Sequence, residues 1–253
     1  MKQTLIEGRD ICKTFTGNGS HTTTLQSINV DIYEDDFTII MGASGAGKST
    51  LLYALSGMDQ ITGGKVTYRG TEITGLSENQ MAGLRATAFG FVFQQTHLVS
   101  NLTLFENVAV AGYVGKIGTP NEIRKKAQNL LRQMGVESAK DRLPSHVSGG
   151  EAQRAAIARA MINRPGLIFA DEPTGALNRS HTEEVLDLLS NLNENGQSIL
   201  MVTHDLRVAI RGNRLLYLED GKILDELSLP SYDAAFAKDR EAKVSGWLSS
   251  LEW

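Results

Sequence analysis

The chain has 253 residues, enough for a sizeable core and close to the length at which one core divides into subdomains. Its net charge of −4, from 25 basic and 29 acidic residues, offers no basic field to nucleic acid, and Cys12 alone excludes an internal disulfide or a thiolate metal cluster. No signal-peptide pattern opens the sequence, and no run approaches the ~20 uninterrupted apolar residues that span a bilayer.

In chain order, residues 37–41 (FTIIM) read as a buried strand, and Gly42 to Ser49 match G-x-x-x-x-G-K-[ST]. A helix is expected from Lys48 to Leu55, stopped by Gly57. Strand, glycine-rich turn and helix make a phosphate cradle, because closely spaced backbone N–H groups and a helix N-terminus face one anion. Lys48 then reaches the β and γ phosphates, and Ser49 gives an oxygen to Mg2+.

Next, TPNEIRKKAQNLLRQMG reads as a helix with Thr119 as N-cap, Pro120 at N1 and Glu122 at N3, a buried stripe of Ile123, Ala127, Leu130, Leu131 and Met134, and Gly135 at its end. VSGGEAQRAAIARAMINRPG repeats the logic, with Ser148 as N-cap and Glu151 at N3. Gly149 and Gly150 in that first turn cost roughly 1 kcal/mol each in helix propensity, so packing or a ligand should require them. A local cap is one reading. The other is a second phosphate site: one ATP does not need two such helix N-termini from one chain, so the Ser148 loop would close over the nucleotide of a second copy in a two-fold dimer.

GLIFADEPTGALN, residues 166–178, is an apolar run delivering two adjacent carboxylates and stopping at Pro173. Asp171, at the strand end, is placed to hold Mg2+ through water, and Glu172, one step on, to polarise the attacking water. The crossover helix 180–196 shows Val185, Leu188, Leu189 and Leu192 at helical spacing and ends at Gly196. SILMVTHD reads as a third strand ending in His204, which puts that ring near the γ phosphate or the water. LLYLEDGKILDE is a hairpin turned by Asp220 and Gly221. After Pro230 the charged tail carries Tyr232, Phe236, Val244, Trp247, Leu248, Leu251 and Trp253, and is expected to pack on its own subunit, with a dimer or permease contact as the alternative.

Together these segments resemble the ATP-binding subunit of an ABC transporter over residues 5 to 228. GASGAGKST is similar to the Walker A loop, LIFADE to Walker B, VSGGE to the signature and VTHD to the switch-histidine segment. The resemblance implies that Gly42, Ala43, Ser44, Gly45, Ala46, Gly47, Lys48, Ser49 and Thr50 contact ATP, with Ser148, Gly149, Gly150 and Glu151 completing the site and Phe15 stacking on adenine. It makes Glu172 the catalytic base beside His204 and Lys48. Ser49, Asp171 and Gln94 become the Mg2+ set, with Gln94 also coupling to the membrane partner. LSENQMAGLRATAFGFVFQ and NLTLFENV look most like the MacB/LolD-type group, which serves lipoprotein release and the export of macrolides or antimicrobial peptides. Glu151 replaces the usual signature Gln, and Asn178 stands where the family has Asp in a loop that crosses the dimer interface.

The resemblance further implies an α/β P-loop NTPase fold: a RecA-like core, an antiparallel β subdomain that includes VTYRG, and a helical subdomain over about 97–160, with residues 1–228 as the cassette and 229–253 as a tail. Implied partners are a second copy or a paralogous ATPase subunit and a separate transmembrane permease, with no nucleic acid, on the cytoplasmic face of the membrane. Two other functions fit the same motifs: an ATPase regulator of a membrane sensor or cell-wall hydrolase complex, and a soluble ABC ATPase acting on nucleic acid or ribosomes.

Overall fold

The computed structural model describes residues 2–17, 20–116 and 118–251. The chain forms two compact units, Met1–Ser77 with Leu192–Trp253, and Glu78–Asn191. The first unit opens with two long antiparallel strands, β1 (Thr4–Gly17) and β2 (Ser20–Tyr33). In β1 the buried side chains of Leu5, Ile6 and Ile11 lie inside while Asp10 and Phe15 lie outside, and a register shift between Gly8 and Ile11 breaks the alternation. After β3 (Phe37–Met41) and α1 (Lys48–Leu55) come β4 (Gly63–Tyr68) and the two-residue β5 (Thr71–Glu72). The antiparallel sheet has the order β2-β1-β4-β5, and VTYRG enters it through β4 as expected.

The second unit is mostly helical: α2 (Glu78–Ala88), β6 (Phe89–Phe93), α3 (Leu104–Gly115), α4 (Pro120–Gln133), α5 (Gly149–Met161), β7 (Leu167–Asp171) and the start of α6 (Arg179–Glu194). The α4 stripe of Ile123, Ala127, Leu130 and Leu131 is buried, as is Met134 beyond it. On α6, Val185, Leu186 and Leu189 are buried while Leu188 and Leu192 are half-buried, so the packed face is rotated slightly from the sequence-derived one. Three helices of this unit start with reciprocal capping boxes: Thr103 with Glu106, Thr119 with Glu122, and Ser148 with Glu151. β6 and β7 are parallel and in register from Phe89↔Leu167 to Phe93↔Asp171.

The chain then returns to the first unit with β8 (Ser198–Val202), α7 (Leu206–Ala209), β9 (Arg214–Glu219), β10 (Lys222–Ser228) and α8 (Ala237–Ser250). β8 and β9 flank β3 in parallel, and every residue of β3 and β8 is buried, which is why both read as nearly continuous apolar runs, with Thr38 and Ser198 the polar members. β9 and β10 form the expected hairpin; Asp220 and Gly221 both take positive φ, 46° and 73°, the backbone that a tight hairpin turn requires. The tail packs as α8: Val244 and Leu248 are buried, Trp247 donates its Nε1–H to Asp225 at 2.8 Å, and its ring meets Tyr217 edge-on. Phe236 is 62% exposed. Trp253 lies outside the described residues. Among those residues no helix is long and apolar enough to cross a membrane.

Candidate nucleotide-binding site

In the first unit, Gly42 to Gly47 link the buried end of β3 to the N-terminus of α1. Gly47, the residue before the helix, has φ 103°, and a Cβ there would stand 2.9 Å from the Thr24 carbonyl oxygen. Only glycine permits both that backbone and that approach. Lys48 is 7% exposed, and its ammonium donates to the carbonyls of Gly42 and Ala43, both at 2.8 Å, which curls the loop around the side chain. Gly221 of the β9–β10 turn donates its N–H to Ala46 at 3.1 Å while its carbonyl accepts from Gln26 N–H at 2.9 Å. That hairpin, read from sequence only as the end of the fold, also braces the phosphate loop.

β8 lies beside β3, with Ile40↔Val202 as register partners. The phosphate loop and the segment carrying His204 therefore leave adjacent strands at the same C-terminal edge, where ligands of parallel sheets are met. The strand itself ends at Val202, two residues short of His204. Thr203 still donates its N–H to Ile40 at 3.1 Å, but its hydroxyl accepts from Asp205 N–H at 3.0 Å, and this bond turns the chain out of the ladder. Phe15 is 48% exposed on β1, and the Lys13 ammonium lies 4.8 Å from its ring centroid.

The second unit carries the acidic and signature segments. Register places Gln94 and Glu172 side by side, each one residue past the ends of β6 and β7. Glu172 has φ 43°, a left-handed backbone that is uncommon for a residue with a side chain and that concentrates at functional positions. Its carbonyl accepts from Gly175 N–H at 3.0 Å, and this small turn brings Gly175 against Gln94: a Cβ on Gly175 would stand 2.9 Å from the Gln94 amide nitrogen. Asn178 accepts from His181 N–H at 3.0 Å through its side chain and caps α6, a role in which Asn equals Asp.

At the head of α5, Ser148 N–H and its hydroxyl both donate to one Glu151 carboxylate oxygen, at 2.8 and 2.9 Å, and the Glu151 N–H donates back to the hydroxyl at 3.2 Å. The Ser148 backbone N–H, followed by its hydroxyl, holds Glu151 below the ordinary carboxylate range. The two glycines there differ. A Cβ on Gly150 would fall 2.7 Å from the His181 ring, so packing within this chain requires that glycine; Gly149 is exposed and would meet only Leu177, at 3.4 Å. Two further residues of α5 went unread in the sequence. Gln153 donates to Phe93 O at 3.0 Å, and the half-buried Arg159 donates to Thr96 O at 2.7 Å and His97 O at 2.6 Å, tying the Gln94 segment to the signature helix.

No three His, Cys, Asp or Glu side chains cluster as a metal cage among the described residues.

The profile of the ABC transporter family matches residues 25–175. The macrolide export ATP-binding/permease protein MacB of Pasteurella multocida is 38% identical over all 253 residues, and its namesake from Haemophilus ducreyi is 40% identical over 226 residues. This chain spans 38% and 32% of the lengths of those two proteins. A solved dimer of the ATP-binding cassette MJ0796, in a post-hydrolysis state bound to ADP and Pi, aligns with a TM-score of 0.83 at 36% identity, covering 90% of this chain and all of that one. The cbiO1 protein of Clostridium perfringens, part of the ABC transporter complex cbiONQ, aligns with a TM-score of 0.79 at 26% identity, over 90% of this chain and 89% of that one. The α/β P-loop NTPase fold follows, and the chain belongs to the ABC transporter family as an ATP-binding cassette.

Proposed function

We propose that this cassette hydrolyses ATP with Mg2+ in a two-site sandwich of two subunits, and that closure of the sandwich drives a transmembrane permease in exporting or extracting a peptide, lipoprotein or hydrophobic drug. The single observation that carries the reading is the Gly42–Ser49 loop curled around the buried Lys48 between β3 and α1. In this reading Lys48 offsets the charge of the β and γ phosphates, and Glu172 accepts the proton of the attacking water. His204 and Gln94 orient the γ phosphate and that water, and Phe15 stacks on the base. Ser49, Asp171 and Gln94 would hold Mg2+, which would supply charge neutralisation to the bound phosphates. Ser148, Gly149, Gly150 and Glu151 cover the nucleotide of the partner subunit, a role that accounts for Gly149, whose added Cβ would meet only Leu177 among the described residues.

A permease is the partner that suits the second unit. Val110, Tyr113 and Val114 form an exposed apolar stripe on α3, and Val114 also lines a groove of about 360 Å3 with Phe91, Phe93 and His97, next to the Gln94 segment. An amphipathic helix of a membrane protein fits such a groove. The cassette would then work at the cytoplasmic face of the membrane. Phosphate release from MgATP by the purified chain tests the core of the proposal: wild type turns over and K48A does not. Equal rates in the two would overturn it.

A further inference from the structure

We propose that the C-terminal helix α8 sets the position of His204, with Arg240 as the positioning residue. The proposal rests on the reading of His204 as a γ-phosphate contact. The chain turns from His204 into α7, whose four residues are too few to hold a helix unaided. Its start is fixed locally: the Thr203 hydroxyl accepts from Asp205 N–H, and Asp205 Oδ1 accepts from Arg207 N–H at 2.9 Å. Its end is fixed by the tail. The Arg240 guanidinium donates to the carbonyls of Ile210 and Gly212 and, at 2.7 Å, to that of Pro230. Ile210 and Gly212 are the last turn of this segment, since their N–H groups donate to Leu206 and Ala209, each at 3.1 Å. Between those two acceptors, Arg211 lies 4.3 Å over the Tyr232 ring, and Arg240 faces the same ring at 5.9 Å.

Arg240 is 7% exposed, and among the described residues its bonds go to carbonyls and not to a carboxylate. Burial accordingly pulls its pKa down. A guanidinium buried without an acid carries a large desolvation cost, and Val244 and Leu248 already anchor α8 by apolar burial. The cation is therefore placed for what it grips. Its planar fork fixes carbonyl positions that apolar contact would leave free to slide. His204 thus sits between two anchors, the sheet bond from Thr203 to Ile40 and the Arg240 grip, and the second belongs to the tail.

The full chain carrying R240K tests this, because one ammonium replaces the fork. The expected result is a kcat about tenfold lower with the KM for ATP changed less than about twofold, as misplacement of a reacting group produces. Amide exchange should quicken over residues 204–212 and stay unchanged over 42–50. In an H204A background R240K should cost nothing more, since both substitutions remove the same contact. Y232A should show the same pattern more weakly, and it carries the test if R240K does not fold. Wild-type kcat in R240K beside a slow H204A, or losses that multiply in the double variant, would overturn the positioning role alone. H204A turning over at the wild-type rate would overturn the reading of His204 and the proposal with it.

Discussion

Gly175 lies against Gln94 so closely that a single added carbon would stand 2.9 Å from the amide nitrogen. The turn that brings them together starts at Glu172, whose carbonyl holds Gly175 N–H, so one strained residue sets both the candidate base and the neighbour of the candidate sensor. G175A should fold normally, because the displaced atoms are the far end of a flexible side chain, yet lower kcat about tenfold by moving the amide. Steady-state kinetics with matched thermal melts would check it; a wild-type rate means that the Gln94 position does not govern turnover.

E172Q keeps the shape and left-handed backbone of Glu172 but cannot accept a proton. Hydrolysis should slow at least about a hundredfold while ATP binding is retained, and closed dimers should accumulate with ATP. Single-turnover phosphate release and sedimentation with MgATP would read the two halves. Fast turnover in E172Q would transfer the base role, with His204 the first candidate.

S148R places a bulky side chain at the head of α5, where the partner's γ phosphate is expected. It should leave ATP binding by monomers intact and abolish the ATP-driven dimer of E172Q. Mixed with K48A, it should restore at most one composite site, built from the intact Lys48 loop of one chain and the intact Ser148 loop of the other. A dimer that persists in S148R would return the Ser148 loop to a local cap.

Glu151 brings a negative charge to that same helix head, and its depressed pKa keeps it ionised at neutral pH. If the Ser148 loop covers the partner's phosphates as proposed, this charge repels them. E151Q should preserve the capping geometry, lower the ATP concentration for half-maximal dimerisation, and weaken the salt dependence of that step. Unchanged dimerisation across salt concentrations would show that the charge is screened there.

Glu106, Glu122 and Glu151 all accept the backbone N–H of their cap residue, Thr103, Thr119 and Ser148, and all three are held below the ordinary 4.5. Since the folded pKa of each lies below the unfolded one, their contribution is complete above pH 4.5 and is lost as pH falls beneath it. The melting temperature of the wild type should drop more steeply over that acid range than that of E106Q/E122Q/E151Q. Parallel curves would assign the acid sensitivity to other carboxylates.

The features legible in sequence were those whose physics is local. β3, β7 and the loop before Lys48 follow from apolar runs that end in glycine or acid, and the Thr119 and Ser148 helices follow from caps three residues ahead of a glutamate. Thr103 and Glu106 carry that same signal and passed unread as a helix start. The brace from Gly221 to Ala46 joins residues 175 positions apart, and the bonds from Arg159 to Thr96 and His97 join a helix to a loop about 60 residues earlier. No spacing rule reaches across such separations. His204 illustrates the intermediate case: its strand does lie beside β3, but that strand ends at Val202 and not at His204, because the Thr203 hydroxyl accepts the Asp205 N–H and turns the chain out of the ladder.

The bonds from Gln153 and Arg159 give α5 the properties of a lever. Ser148 sits at one end, and Arg159, eleven residues on, lies about 16 Å away along the axis at the α-helical rise. A tilt of about 10° about the Arg159 end would carry the Ser148 hydroxyl through about 3 Å, the difference between a hydrogen bond and none. A push on residues 93–97 too small to disturb the packing of the helix would thus be magnified at the helix head. A rigid arm of this length allows weak contacts at one end of the unit to decide whether a phosphate is touched at the other.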